Sequence, residues 1–380
     1  MKILYIISAT FLGGATLSFL TLLEGIKAKG ATPIVIIPDA RKEFVSLLDK
    51  LEIKYYVVKL AFSSFPPLKS VRDYLLFPIR SLIRVKTIYN AIRDIKKISQ
   101  NECIDLIHTN VGPLRVGYYI SKKLKIPHVW HIREYGDLDF GIYEFPTKAY
   151  FRNLLRKNYC IAITKDLLKY NRLENSPKAT VIYNGVMSIN DAVLKLPKSK
   201  YFLCCSRISK EKGHKDVIRN FGRFHINHPD YKLILLGKGD NSYIDELKSI
   251  AKQGGFLDSI EFPGFTNDVK PILSKATALI VASNAEGFGR MTAEAAFCGC
   301  LVIGKNVAGT KEILSEIGGF PYITDQEMLT SMESVINLSE QQYFSMSSYA
   351  QNKAKELYSS ENYINKIWEL YKTALKTRYL

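Results

Sequence analysis

Ile3-Leu4-Tyr5-Ile6-Ile7-Ser8-Ala9-Thr10-Phe11-Leu12-Gly13-Gly14-Ala15-Thr16-Leu17-Ser18-Phe19-Leu20-Thr21-Leu22-Leu23 runs 21 residues without a charge, long enough to span a bilayer. Its internal pattern argues for something else. A β-type run from Ile3 to Ile7 gives way to a small-residue turn, Leu12-Gly13-Gly14-Ala15, after which apolar positions 15, 19, 22, 23 and 26 fall on one helical face. A secretory signal would want a richer basic start than Lys2 alone and a small-residue cleavage site. The stretch reads as strand, glycine turn and helix. No other uncharged run approaches the length of a span, so the chain is expected to be soluble or peripheral.

Outward from this opening the same grammar repeats. Short β-branched runs at 34–37, 53–58, 104–107, 128–131, 159–163 and 180–183 alternate with segments of helical period. After Asn184-Gly185 a less patterned stretch ends in Leu196-Pro197-Lys198-Ser199-Lys200, and a second series follows at 201–205, 233–236, 259–262, 278–282 and 301–303. Near-continuous apolar strands separated by helices imply parallel sheets covered on both faces. The expected fold is α/β, two Rossmann-like doubly wound domains facing each other across a cleft at the carboxyl ends of their strands. The first domain is set at 1–190 and the second at 191–360. The last helix, Tyr363 to Tyr379 within about 361–380, is expected to pack back on the first domain.

The chain has 380 residues and 53 Lys+Arg against 36 Asp+Glu, a net charge of +17. Residues 1–190 hold 29 basic and 15 acidic side chains (+14), and residues 191–380 hold 24 and 21 (+3), so the excess belongs to the first half. Nucleic acid, an anionic membrane and an acidic substrate all fit such an asymmetry. At 47% hydrophobic and 23% charged residues, disordered and collagen-like classes are excluded. The six cysteines (103, 160, 204, 205, 298 and 300) contain no Cys-x-x-Cys pair and read as small buried hydrophobes in a reducing compartment. His128 and His131, three apart on a strand, point to opposite faces, so no metal site is expected.

The richest chemistry lies in Ser283-Asn284-Ala285-Glu286-Gly287-Phe288-Gly289-Arg290-Met291-Thr292-Ala293-Glu294, directly after a strand. Its glycines admit a close backbone approach, and the following helix start favours a phosphate. Glu294 can accept bonds from ribose hydroxyls and Glu286 can face a sugar on the diphosphate. The plainer alternative makes Glu294 a complement to the helix N-terminus and Glu286 a solvated loop charge. Arg207-Ile208-Ser209-Lys210-Glu211-Lys212-Gly213 places two cations, Arg207 and Lys212, at another strand end, where a fork and a point charge can neutralise a diphosphate.

These residues resemble glycosyltransferase family 4, the retaining GT-B enzymes also called group 1 glycosyltransferases, of the bacterial polysaccharide and capsule type. The matches run in order along the chain. Val181-Ile182-Tyr183-Asn184-Gly185-Val186 is similar to the segment before the hinge, Arg207 and Lys212-Gly213 to the diphosphate-binding pair, and Leu235-Leu236-Gly237-Lys238-Gly239 to the next glycine turn. Glu286 to Glu294 is similar to the Glu-x7-Glu motif, and Gly309-Thr310-Lys311-Glu312-Ile313-Leu314 to the segment closing over it. In the first half, Gly13-Gly14-Ala15 resembles the N-terminal glycine loop and Trp130-His131-Ile132-Arg133-Glu134 the His-x-Arg-Glu of many polysaccharide members. Arg290-Met291 departs from the usual apolar pair.

The resemblance implies a hexosyltransferase that moves a sugar from a UDP- or GDP-sugar to an acceptor hydroxyl with retention. Glu286, His131, Arg207 and Lys212 would be catalytic. Gly13, Gly14, Arg207, Lys212, Glu286, Gly287, Phe288, Gly289, Arg290, Met291 and Glu294 would hold the donor, and His131, Arg133 and Glu134 the acceptor. A cofactor-free, metal-independent reaction is expected, with the diphosphate charge met by cations and helix starts. A nucleotide-sugar epimerase on the same fold, a glycogen-synthase-like elongating enzyme and a basic nucleic-acid-binding protein stand as rivals. The last lacks any helix-turn-helix, RNA-recognition or zinc-finger pattern, and no nucleic-acid partner is expected.

Between Lys69 and Lys97 lie eight basic residues and two acidic ones, interleaved with apolar side chains. Such a stretch suits an anionic bilayer surface. Lys69, Arg72, Arg80, Arg84 and Lys86 are the expected membrane contacts, with Pro66-Pro67 and Pro78 breaking the stretch into pieces. The alternative is ordinary helices with solvated basic faces. A lipid-linked or saccharide acceptor and a cytoplasmic location, peripheral at the inner face of the plasma membrane, follow from the first reading.

Overall fold

The computed structural model describes residues 1–266 and 268–376. They fall into two compact units, Met1–Gly185 with the stretch from Ser360 onward, and Val186–Ser359. The division lies after residue 185 rather than 190, because Val186 donates to the Tyr358 carbonyl at 3.0 Å and Met187 bridges Ser359, tying both to the second unit.

The first unit is built on β1 (Lys2–Ile6), β2 (Thr32–Ile37), β3 (Lys54–Val57), β4 (Leu106–Thr109), β5 (His128–Ile132), β6 (Tyr159–Ala162) and β7 (Ala179–Val181), in the order β3-β2-β1-β4-β5-β6-β7. All pairs are parallel, with Leu4 opposite both Ile34 and Ile107. The opening run is indeed strand, turn and helix: Gly13 caps α1 (Gly14–Ala28). No helix among the described residues is long and apolar enough to cross a membrane.

Alternation along β1 divides the core. Ile3 and Tyr5 join Phe19, Leu22 and Ile26 of α1 on one face, while Leu4 and Ile6 join Ala91 and Ile95 on the other. Each fully buried side chain of this size contributes about 1.5–3 kcal/mol, so two-sided burial dominates the stability of the sheet.

One helix corrects an expectation. α2 (Val71–Asn101) is continuous over 31 residues and contains Pro78. Its start is fixed by a capping box in which Ser70 Oγ accepts from the Asp73 amide and the Asp73 carboxylate accepts from the Ser70 amide. Pro78 lies on the exposed side, where a carbonyl without its helical partner can be solvated, so the break does not occur. Only the C-terminal half of α2 packs on the sheet, through Ala91, Ile95 and Ser99.

The second unit holds β8 (Ser199–Cys205), β9 (Lys232–Leu236), β10 (Ile260–Gly264), β11 (Ala276–Val281), β12 (Leu301–Lys305) and β13 (Phe320–Tyr322), ordered β10-β9-β8-β11-β12-β13 and parallel throughout. β13 escapes sequence reading because Pro321 interrupts it. As an edge strand it tolerates the missing donor. The helices that matter below are α3 (His214–His225), α4 (Arg290–Phe297) and α5 (Ala308–Ile317).

The final helix, α6 (Ser360–Lys376), returns to the first unit and adds Tyr363, Ile367 and Tyr371 to the α1 side of its core. Residues 377–380, including the expected helix end at Tyr379, lie outside the described residues. α6 meets α1 at Gly25, where an added Cβ would stand 2.1 Å from Ile364 Cδ1 and 2.5 Å from its Cγ1. Gly25→Val should therefore lower stability by about 1–3 kcal/mol through overpacking. Thermal and urea unfolding of the full chain check this, and an unchanged midpoint would contradict the close approach.

Candidate active site

In the second sheet, β8 has β9 on one side and β11 on the other, so strand order reverses between β8 and β11. Loops leaving the carboxyl ends of two such strands diverge to opposite faces and leave a crevice between them. The Arg207–Gly213 segment leaves β8 and the Ser283–Glu294 segment leaves β11, so the topology brings both motifs to one place.

There Lys212 Nζ donates to Glu286 Oε1 at 2.5 Å, and the same oxygen accepts from Ser283 Oγ at 2.8 Å. Both partners of this ion pair are partly exposed, at 21% and 23% of the side chain. The pair is therefore accessible from solvent. The loop carrying Glu286 is pressed against the start of α5. Gly309 N–H donates to the Glu286 carbonyl at 2.9 Å, and a Cβ on Gly309 would lie 2.4 Å from the Phe288 carbonyl oxygen. Only glycine fits there. Gly289, with φ +88°, then caps α4.

Glu294 is buried, and burial raises its carboxyl pKa while Arg290 opposes the rise. Arg290 Nε lies 2.6 Å from Glu294 Oε1, and an Arg290 Nη2 donates to the Val186 carbonyl at 2.7 Å. Arg290 thus holds the Glu294 carboxylate in place. Close to this point the Thr292 and Thr310 hydroxyls, near the starts of α4 and α5, are buried without a hydrogen-bond partner among the described residues. The two helix starts converge at Gly289, where an added Cβ would lie 3.4 Å from Thr292 Oγ1 and 3.6 Å from the Thr310 amide nitrogen, a setting that favours an anionic group.

Other expected donor residues sit differently. Arg207 is exposed and pairs with Glu211 at 2.6 Å. It also lines a cavity of about 570 Å³ with Lys238, Asp240 and Tyr243. Phe288 is buried edge-on against Tyr358 at 5.7 Å, and Met291 packs on the Leu203 and Ala295 cluster, so both support the loop from behind instead of lining an open pocket. Gly287 lies between Glu286 and Phe288 in the loop. Gly13 and Gly14 belong to the first unit, and the extended backbone of Gly13 (φ −152°) is open to any residue. Sequence reading missed Ser283 as the second donor to Glu286 and Lys305, which donates to Asn284 Oδ1 at 2.5 Å from the end of β12. A lysine at a strand end was the available signal.

In the first unit the His-x-Arg-Glu residues lie in or beside the interior. His131 is fully buried, with Nδ1 3.3 Å from His108 Nε2 and its Nε2 without a partner among the described residues. Burial and the nearby Arg133 charge hold its pKa well below the usual imidazole range, so it is neutral. The Arg133 guanidinium is engaged internally, donating to Asn110 at 2.9 Å, Asn184 at 2.7 Å and the Tyr363 hydroxyl at 2.9 Å. A buried cation must be satisfied in this way, which leaves it tying β5 to α6 rather than reaching an acceptor. Glu134 accepts from Gly112 N–H at 2.6 Å. Desolvation pushes its carboxyl up to about 8, with Asp139 and Glu144 adding to the rise and the Gly112 bond and Arg133 opposing it.

Residues 188–353 match the family described as Glycosyl transferases group 1. The N-acetyl-alpha-D-glucosaminyl L-malate synthase of Bacillus anthracis is 24% identical over 308 residues, 74% of this chain and 77% of the relative. The O-antigen chain mannosyltransferase RfbU of Salmonella typhimurium is 26% identical over 206 residues, 52% of this chain and 56% of that one. Among solved structures, Anabaena HepE in complex with UDP superposes with a TM-score of 0.79 at 21% identity, covering 98% of this chain and 100% of the other. That likeness is one of fold.

The raised Glu134 pKa carries a sign. The folded state holds this proton up to about pH 8, whereas an unfolded glutamate releases it near 4.5. Its contribution to stability is therefore full below about 4.5 and is lost as pH rises to about 8. Glu134→Gln should remove that loss, so its stability relative to wild type grows between pH 5 and 8 in urea titrations. Parallel curves would refute the assignment.

Proposed function

We propose that this chain, whose residues 188–353 match the group 1 glycosyltransferase model and whose fold is that of GT-B proteins, transfers a hexose from a nucleoside diphosphate sugar, UDP- or GDP-linked, to an acceptor hydroxyl with retention. The bond from the anomeric carbon to the diphosphate oxygen breaks, the bond to the acceptor oxygen forms on the same face, and the acceptor proton leaves with the diphosphate. The observation that carries this reading is the Lys212–Glu286 ion pair at the switch point, with the start of α5 held against the loop that carries Glu286.

In this reading the diphosphate takes Lys212 as its counter-ion, with Arg207 from the exposed side and the starts of α4 and α5 beneath. Release of Lys212 from Glu286 frees that carboxylate for the hydroxyls of the donor sugar. Glu294, fixed by Arg290, takes the ribose. Charge on the leaving group is met by preorganised side chains and N–H dipoles, so no metal is required. Acceptor binding is assigned to the first unit, and the interior positions of His131 and Arg133 make them organisers of its sheet edge. The acceptor is a lipid-linked or growing saccharide at the cytoplasmic membrane surface, a role supported by the basic excess of that half.

Lys212→Ala should lower kcat by about 10²–10³, the usual cost of removing one charge-stabilising donor, and Glu286→Ala should abolish transfer, both with melting temperatures close to wild type. Transfer should persist in excess EDTA. Thermal-shift titration with UDP, GDP and their sugars identifies the base, since a ligand that binds only the folded state raises its stability. Wild-type transfer by Glu286→Ala would sink the reading. So would an epimerised donor formed without acceptor.

A further inference from the structure

The first half of α2 presents a face that the core of its unit does not use. Val71, Leu75, Leu82, Val85 and Tyr89 recur with Pro78 at alternating spacings of four and three residues, and each of these five is more than half exposed, from 61% at Val85 to 76% at Val71. Tyr74 and Ile79 widen the strip, at 62% and 56%. At 1.5 Å per residue the strip is about 27 Å long. Scattered exposed apolar residues are ordinary, but a continuous strip of this size marks an interaction surface.

The opposite face shows why the strip is left outside. Phe77 packs on Phe65 at 5.0 Å, and the Arg84 guanidinium lies 4.1 Å above the same ring while bonding the Ser64 carbonyl. Arg80 pairs with Asp73 at 2.9 Å. Two of the expected membrane cations, Arg80 and Arg84, are thus engaged within the protein. Arg72, Lys86, Lys96 and Lys97 form no ion pair among the described residues, and they lie along the margins or continuation of the strip.

We propose that this face docks the protein on an anionic lipid surface, with the apolar strip entering the headgroup region and the free basic side chains meeting lipid phosphates. Apolar insertion supplies the main attraction, and charge selects the surface. A second copy of the chain fits less well. If the four-three spacing were a coiled-coil seam, the flanking positions would hold Arg72, Ile79 and Lys86 on one side and Tyr74, Ser81 and Ile88 on the other, with no acid to offset the cations. An anionic surface offsets them all. This deepens the acceptor reading above and rests on it for the role of the lipid surface.

The test is flotation of the full chain with vesicles of phosphatidylglycerol and phosphatidylcholine. Leu75→Gln combined with Leu82→Gln should lower vesicle affinity about tenfold, at low and high salt alike. Arg72→Gln combined with Lys86→Gln should instead reduce the salt dependence. Neither pair should alter the thermal shift by nucleotide or transfer to a soluble acceptor. The proposal is overturned if wild type fails to float, if the double leucine variant floats as wild type does, or if wild type sediments as a dimer that this variant dissociates. Flotation without sugar transfer would refute the proposed reaction and leave the docking face standing, while transfer without flotation would do the reverse.

Discussion

A parallel sheet covered by helices on both faces leaves chemistry only its ends. In each unit the strands are apolar on both sides, so polar side chains that must meet a ligand are confined to the loops at the carboxyl edge. The second unit shows the consequence. Reversal of strand order between β8 and β11 opens a crevice, and Lys212 and Glu286 come to it from two different loops, with the start of α5 pressed against the second. Gly309 lets the start of α5 approach closely enough to clamp that loop.

Charge inside this arrangement is held rather than scattered. Glu286 is poised between Lys212 and Ser283, and Glu294 is set by Arg290 against the cost of burial. The two carboxylates therefore differ in what a ligand must displace. Binding near Glu286 exchanges one ion pair for another in a partly wet setting, where such exchanges are inexpensive. Glu294 has no such freedom, which suits a contact that fixes position.

Periodicity and composition made the order of strands and helices legible, because near-continuous β-branched runs have few other uses. The meeting of the Arg207–Gly213 and Ser283–Glu294 segments was legible for the same reason: glycines, carboxylates and cations fell at strand ends in order. What could not be read was partner choice. Nothing local in Arg80 or Arg84 says that one folds back on Asp73 and the other onto Phe65. His131 and Arg133 looked like site residues, yet the partners that claim Arg133 include Asn184 and Tyr363, the latter far along the chain. Pro78 misled in the other direction, since its cost depends on whether the affected carbonyl faces solvent, a property of the fold. The domain boundary near 190 was misplaced because it is set by pairing between residues 186–187 and 358–359.

That pairing has a consequence for biogenesis. The first unit is discontinuous, and its α1 side is finished only by Tyr363, Ile367 and Tyr371. During synthesis the N-terminal sheet emerges first but keeps Ile3, Tyr5, Phe19 and Leu22 without their final cover until the last helix leaves the ribosome. The second unit, continuous from Val186 to Ser359, can close earlier. A chain that stops short of residue 360 would leave the α1 side of the first core without the cover that Tyr363, Ile367 and Tyr371 give it.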